Sequence, residues 1–223
     1  MKKILLSAKD LKIGGIEKSL INLINYLSEQ KYDITLVLEK REGELLKEVE
    51  NKIKIIKYNP SKNKFKFLRK TLNGLKRVKF IIKYWNKFDT SISFATYSKP
   101  GSFVARVASK NSILWCHADY LSLYKGNKSK VRDFFEELNY EYFSKIIFVS
   151  KKAQETFLEV FPKQKNTFYC NNLIDYKKIY EQTEQNIELK YDEETVTFLN
   201  VGRHDEKQKK LTRIIEAAKR LKD

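Results

Sequence analysis

The chain has 223 residues, room for one domain or one and a half at ~150 residues each. Hydrophobic residues make up 42% and aromatics 13%, which excludes a disordered chain, while 7 glycines and 3 prolines exclude a collagen-like one. Lys and Arg total 45 against 28 Asp and Glu, a net charge of +17 that calls for an anionic partner without choosing between nucleic acid and membrane.

The opening MKKILLSAKD has only Ile4, Leu5 and Leu6 between polar residues. That is too short for an export signal, and it reads as a buried strand. Further strands are predicted at 34–38, 53–57, 90–94, 112–116, 145–149, 167–170 and 195–201. Several are near-continuous Ile, Leu, Val and Phe, as strands buried on both faces should be. Helices are predicted between them. The clearest spans 16–30, with Leu20, Leu23, Ile24 and Leu27 at steps of three and four. Others fall at 44–50, 65–85, 102–109, 130–143, 151–161 and 209–221. This alternation predicts an α/β fold, a Rossmann-like, doubly wound and mainly parallel sheet with helices on both faces. No apolar run exceeds five residues, against roughly 20 for a membrane span. Cys116 and Cys170 offer neither a disulfide scaffold nor a CxxC zinc pair, and are expected as reduced thiols in the cytoplasm.

A polar, acidic stretch at 175–194 marks a boundary. The expected organisation is a first domain over 1–180, a linker over 181–194, and the opening strand and helix of a second α/β domain over 195–223. One strand and one helix cannot bury their own apolar faces, so the rest of that domain is expected to be absent, and dimerisation through this unit could cover it.

Three motifs carry chemistry. Gly14-Gly15-Ile16-Glu17 lies between the first strand and first helix, at the sheet edge where ligands bind in such folds. Either the glycines admit an anion to the helix start, or the turn needs a positive φ and Glu17 complements the helix dipole. Trp115-Cys116-His117-Ala118-Asp119 ends a strand. His117 can donate to a hydroxyl or phosphate or accept a proton, or it is satisfied by nearby backbone. Asp119 either orients it or caps the next helix. In Gly202-Arg203, followed by Lys209, the basic pair is either a diphosphate clamp or a solvated turn.

The ordered set resembles family 4 of the retaining glycosyltransferases, whose GT-B architecture faces two Rossmann-like domains across a cleft. Gly14-Gly15-Ile16-Glu17 matches the family's GGxE loop. Trp115-Cys116-His117 matches its strand ending in histidine, and Phe148-Val149-Ser150-Lys151 its Val-Ser element. Asn171-Asn172-Leu173-Ile174-Asp175 is similar to the segment that closes the first domain. Gly202-Arg203 with Gln208-Lys209-Lys210-Leu211 and Ile214-Ile215-Glu216-Ala217 resembles the start of the donor domain. Two positions depart. Lys210 stands where the family has glycine, with Lys209 matching the clamp lysine and Lys207 the alternative. The family's paired glutamates are missing. Glu42 and Glu50 share their spacing, in what reads as a solvated acidic helix.

The resemblance implies the acceptor-binding part of an enzyme that moves a sugar from a nucleotide-sugar to a saccharide or lipid-linked acceptor. Gly14, Gly15, Glu17 and His117 would face the acceptor, with His117 the candidate catalytic group. Arg203 and Lys209 would hold the donor diphosphate. No metal and no cofactor is implied, and the chain alone would be inactive. Rivals are a catalytically silent, membrane-docked binding module and a nucleic-acid binder, the latter without any recognisable signature.

Residues 62–87 hold ten Lys and Arg and no Asp or Glu. A stripe of Phe65, Leu68, Leu72, Leu75, Val78, Ile82 and Trp85 runs through them. Most of it is expected to face the core, leaving Lys76, Arg77, Lys79 and Lys83 free for an anionic membrane surface on the cytoplasmic side.

Overall fold

The computed structural model describes residues 1–184, 196–202 and 206–221, with all their side chains except those of Lys207 and Gln208. Seven parallel strands form one sheet: β1 (Lys3–Ala8), β2 (Asp33–Leu38), β3 (Lys54–Lys57), β4 (Thr90–Ser93), β5 (Ser112–Cys116), β6 (Lys145–Phe148) and β7 (Thr167–Tyr169). Their spatial order is β3-β2-β1-β4-β5-β6-β7. Each lies within a residue of its predicted bounds, because short apolar runs between amphipathic helices admit little else.

Neighbouring residues of a strand point to opposite faces. Leu6, Leu36 and Leu38 pack against Leu20, Ile21 and Ile24 of helix α1 (Gly15–Glu29). Leu5 and Val37 pack on the other face, against Phe80 of α2 (Lys66–Tyr84) and Val104 and Ala108 of α3 (Lys99–Ala108). α4 (Tyr120–Leu123), α5 (Lys128–Glu137) and α6 (Lys151–Leu158) complete the β5–β6 half, around Phe135, Phe148 and Phe157.

Caps explain where helices depart from the predicted bounds. Ser98 accepts from the Gly101 N–H at 2.8 Å, with a proline in the first turn, so α3 begins three residues early. Asn139, at φ 53°, ends the helix predicted to run to 143, and only a 3-10 turn (Tyr140–Tyr142) follows.

The stripe of α2 faces the wrong way for the core. Val78, Ile82 and Trp85 are 53%, 76% and 62% exposed, and Phe65, Leu68 and Leu75 are exposed as well. The buried face is the opposite one. Phe80 packs edge-on to Tyr58 at 5.0 Å, and beside Tyr84 and Phe103 at 4.8 and 6.1 Å. Four rings, those of Tyr58, Phe80, Tyr84 and Phe103, fill the space on this side. α2 therefore carries two apolar faces with basic flanks. The flanks are partly tied down: Lys76 Nζ donates to the Asn59 carbonyl at 2.7 Å, and Arg77 lies 5.3 Å over the Phe103 ring.

The chain divides into two compact units, Met1–Tyr176 and Lys177–Asp223. α7 (Tyr176–Thr183) lies at the boundary. In the second unit, 196–201 is not a strand, as the sequence predicts for 195–201 (Thr195 lies outside the described residues). A strand needs a partner ladder, and these residues carry none, so Val196, Phe198, Leu199 and Val201 stay exposed. The predicted helix 209–221 is split into α8 (Glu206–Lys209) and α9 (Leu211–Arg220).

Candidate active site

The strand order reverses between β1 and β4, and in such sheets a crevice opens outside the carboxyl ends of the strands at that point. Three segments meet this edge: the loop after β1, the loop after β4, and the end of β5.

The first loop is pinned from below. Leu11 is fully buried, and its N–H donates to the Glu42 carbonyl at 2.9 Å. Gly43, at φ 121°, passes so close to the Leu11 backbone that a side chain there would collide with it. The loop then exposes Ile13 and reaches Gly14. Gly14 is extended at φ −171°, which any residue adopts, so the turn does not need positive φ. What needs glycine is space. A Cβ at Gly14 would overlap the Glu17 carboxylate, whereas one at Gly15 meets nothing within 4 Å. α1 has no side-chain cap, so its first N–H groups stay available beside open space at Gly15.

The loop after β4 was not singled out by its sequence, yet it supplies most of the polar contacts. The Tyr97 hydroxyl donates to Glu17 Oε1 at 2.9 Å. The Ser98 hydroxyl donates to Glu39, while Ser98 also caps α3. Thr96 donates to the Trp115 carbonyl at 2.6 Å. The available signal was topological: this loop follows the strand paired to β1 on the far side of the reversal.

His117 follows β5, two strand spacings or ~10 Å from β1. Its ring lies 4.4 Å from Phe94 and is nearly parallel to Trp115. Both ring nitrogens are buried without a hydrogen-bond partner among the described residues. Burial pushes its pKa down to about 4, against the opposing pull of the Phe94 backbone. The imidazole is therefore neutral at pH 7, with one donor and one acceptor nitrogen, both beneath the surface. Asp119 does not orient it. Its carboxylate caps α4, accepting from the Ser122 N–H at 3.1 Å and hydroxyl at 2.6 Å, and from Thr156 at 2.9 Å.

The segment resembling the end of a first domain sits against α1, where Asn22 Nδ2 donates to the Leu173 carbonyl at 3.2 Å. The Asn172 side-chain oxygen is buried without a hydrogen-bond partner among the described residues. Glu42 and Glu50 are not in a helix. Glu42 pairs with Lys40 and Lys12 at 3.3 and 3.4 Å, and Glu50 with Arg41 at 3.7 Å, ordinary surface pairs. Among the described residues no cluster of His, Cys, Asp and Glu is arranged to hold a metal, and no helix is long and apolar enough to cross a membrane.

In the second unit, Arg203 lies outside the described residues. The Lys209 stem lies 3.6 Å from where a Cβ on Gly202 would be. Lys210, between α8 and α9, is left-handed at φ 51°, the conformation glycine favours.

Comparison with known proteins agrees with this architecture. HepE from Anabaena, in complex with UDP-glucose, superimposes with a TM-score of 0.58 at 17% identity, over 82% of this chain and 50% of that one. HepE with UDP and glucose gives 0.56 at 18%, with the same coverage. MurG from Acinetobacter baumannii gives 0.51 at 12%, over 84% of this chain and 50% of its own. The chain thus spans about half the length of these GT-B structures. No curated protein matches it. The Glycosyltransferase Family 4 model matches residues 13–177, from the first loop to the last turn of the seven-stranded unit, and the chain belongs to that family.

Proposed function

We propose that the seven-stranded unit is the acceptor-binding part of a retaining glycosyltransferase acting on a nucleotide-sugar. The observation that carries this is the Glycosyltransferase Family 4 match over residues 13–177, which spans the Gly14-Gly15 loop and His117 at the carboxyl edge of the sheet. The His117 ring is half-buried at the same edge, and a ring nitrogen turned outward would accept from or donate to a sugar hydroxyl. Gly15 leaves the start of α1 open to the same crevice. Lys209, with Arg203, would stabilise the diphosphate leaving group. The left-handed Lys210 supports matching Lys209, rather than Lys207, to the family's clamp lysine, since it occupies the glycine position that follows.

The acceptor is a saccharide, lipid-linked or part of a cell-surface polysaccharide, met on the cytoplasmic face of a membrane. A specific observation favours docking there. α2 turns an apolar stripe outward between basic flanks, in a segment without a single acid. Amphipathic helices of that composition lie in anionic bilayer interfaces.

Nuclear magnetic resonance of the 223-residue polypeptide tests the acceptor assignment. Acceptor oligosaccharides should shift signals from Gly14, Gly15 and His117. A panel of nucleotide-sugars, UDP-glucose included, should give no turnover, because residues 1–223 hold no counterpart of the paired glutamates. Absence of saccharide binding would favour a silent docking module, and robust transfer would overturn the division of roles.

A further inference from the structure

The other flank of the same sheet carries a second concavity. It lies between β3 and α2, with a volume of about 380 Å³. Lys76, Lys79 and Lys83 of α2 line it together with Phe80 and Tyr84, Lys57 borders it from β3, and no acidic residue is among the described residues that line it. Lys76 is steered there by its bond to the Asn59 carbonyl. Lys83 lies 5.3 Å over the Tyr84 ring. Lys79 and Lys83 stand one helical turn apart on the same face. None of the four makes an ion pair with a described residue.

The three α2 ammonium groups beside one hollow repel one another, and a multiply charged anion relieves that repulsion. A phosphate oxygen accepts from an ammonium in a strong, charge-assisted bond, and each lysine brings three donors. The aromatic floor keeps water from one side and strengthens the attraction. We propose that this groove binds a phosphomonoester or diphosphate group. It is separate from the His117 crevice, and it does not require α2 to dock on a membrane. The same group is carried by lipid headgroups, which basic pockets beside interfacial helices recognise, and by soluble phosphate compounds.

Calorimetric titration with inorganic pyrophosphate tests the site on the whole chain. Saturable binding is expected. Lys79→Gln with Lys83→Gln should weaken it at least tenfold. The charge-matched pair Lys163→Gln with Lys165→Gln, on the exposed loop before β7, should not. All four lysines are exposed, and circular dichroism checks that both variants stay folded. Equal weakening in the two variants, or no binding to the unaltered chain, overturns the proposal. Vesicles then identify the source. Phosphatidic acid offers a phosphomonoester, phosphatidylglycerol only a diester. A preference for phosphatidic acid at matched charge, lost with Lys79 and Lys83, assigns a lipid headgroup. Pyrophosphate binding that needs those lysines without that preference assigns a soluble phosphate compound.

Discussion

Glu17 folds its carboxylate back over Gly14, in the space that a methyl group at position 14 would occupy, and is held there by the Tyr97 hydroxyl at 2.9 Å. The two glycines of the first loop therefore do different work. Gly14→Ala should swing Glu17 away and break the Tyr97 bond, costing about 1 kcal/mol for an exposed hydrogen bond. Gly15→Ala meets open space at the first turn of α1, and should be neutral or stabilising by ~0.5 kcal/mol. Urea denaturation of the two variants checks the contrast. Equal costs would show that Glu17 is not what Gly14 accommodates.

His117 should give the chain a pH dependence of defined sign. Its folded-state pKa, about 4, lies below the ordinary 6.5. The unfolded chain therefore takes up this proton first as pH falls. Stability from the neutral ring is complete above pH 6.5, declines between 6.5 and 4, and is flat below. The full span is on the order of 3 kcal/mol. Denaturation curves of the wild type and His117→Gln, compared at each pH, should diverge in that window in this direction. A constant difference would refute the burial-driven shift.

On α2 the two apolar faces predict opposite outcomes. Phe80→Ala should cost about 3 kcal/mol, because it empties a ring cluster that is 5% exposed. Val78→Ser with Ile82→Ser should leave stability within about 0.5 kcal/mol per site. The same double variant should lose most binding to anionic vesicles, and wild-type binding should keep a salt-resistant part, since apolar insertion is not screened. If the serine variant unfolds, or binds vesicles as before, the outward stripe is not a docking face.

Lys210 holds a left-handed backbone between α8 and α9, where a side chain costs ~1 kcal/mol. Lys210→Gly should raise hydrogen-exchange protection in Leu211–Arg220, while Lys209→Gly should not. In both proteins these helices should exchange before β1 and β5, because nearly all their residues are exposed. Unchanged protection in Lys210→Gly would mean that the turn is not strained.

The alternation of apolar runs with amphipathic segments was enough to place the seven strands of the sheet and the edge on which Gly14 and His117 would lie, but it also predicted an eighth strand at 195–201, and 196–201 is not one. The strands of the sheet and its longer helices announce themselves by local periodicity, while the short α4 and α7 do not, and right-handed crossovers leave few topologies. Capping signals such as Ser98 and Asn139 were also present in the sequence, and they shift helix ends by a few residues. The tertiary structure alone decided the rest. Periodicity shows that α2 has apolar positions at helical spacing, but it cannot say which face is buried when two are apolar. That choice depended on Tyr58 and Phe103, distant in sequence, whose rings complement Phe80. Tyr97 meets Glu17 across 80 residues, and Ser98 meets Glu39 across 59. Such pairings exist only once β1, β2 and β4 lie side by side, because a hydrogen bond depends on distance in space and not along the chain.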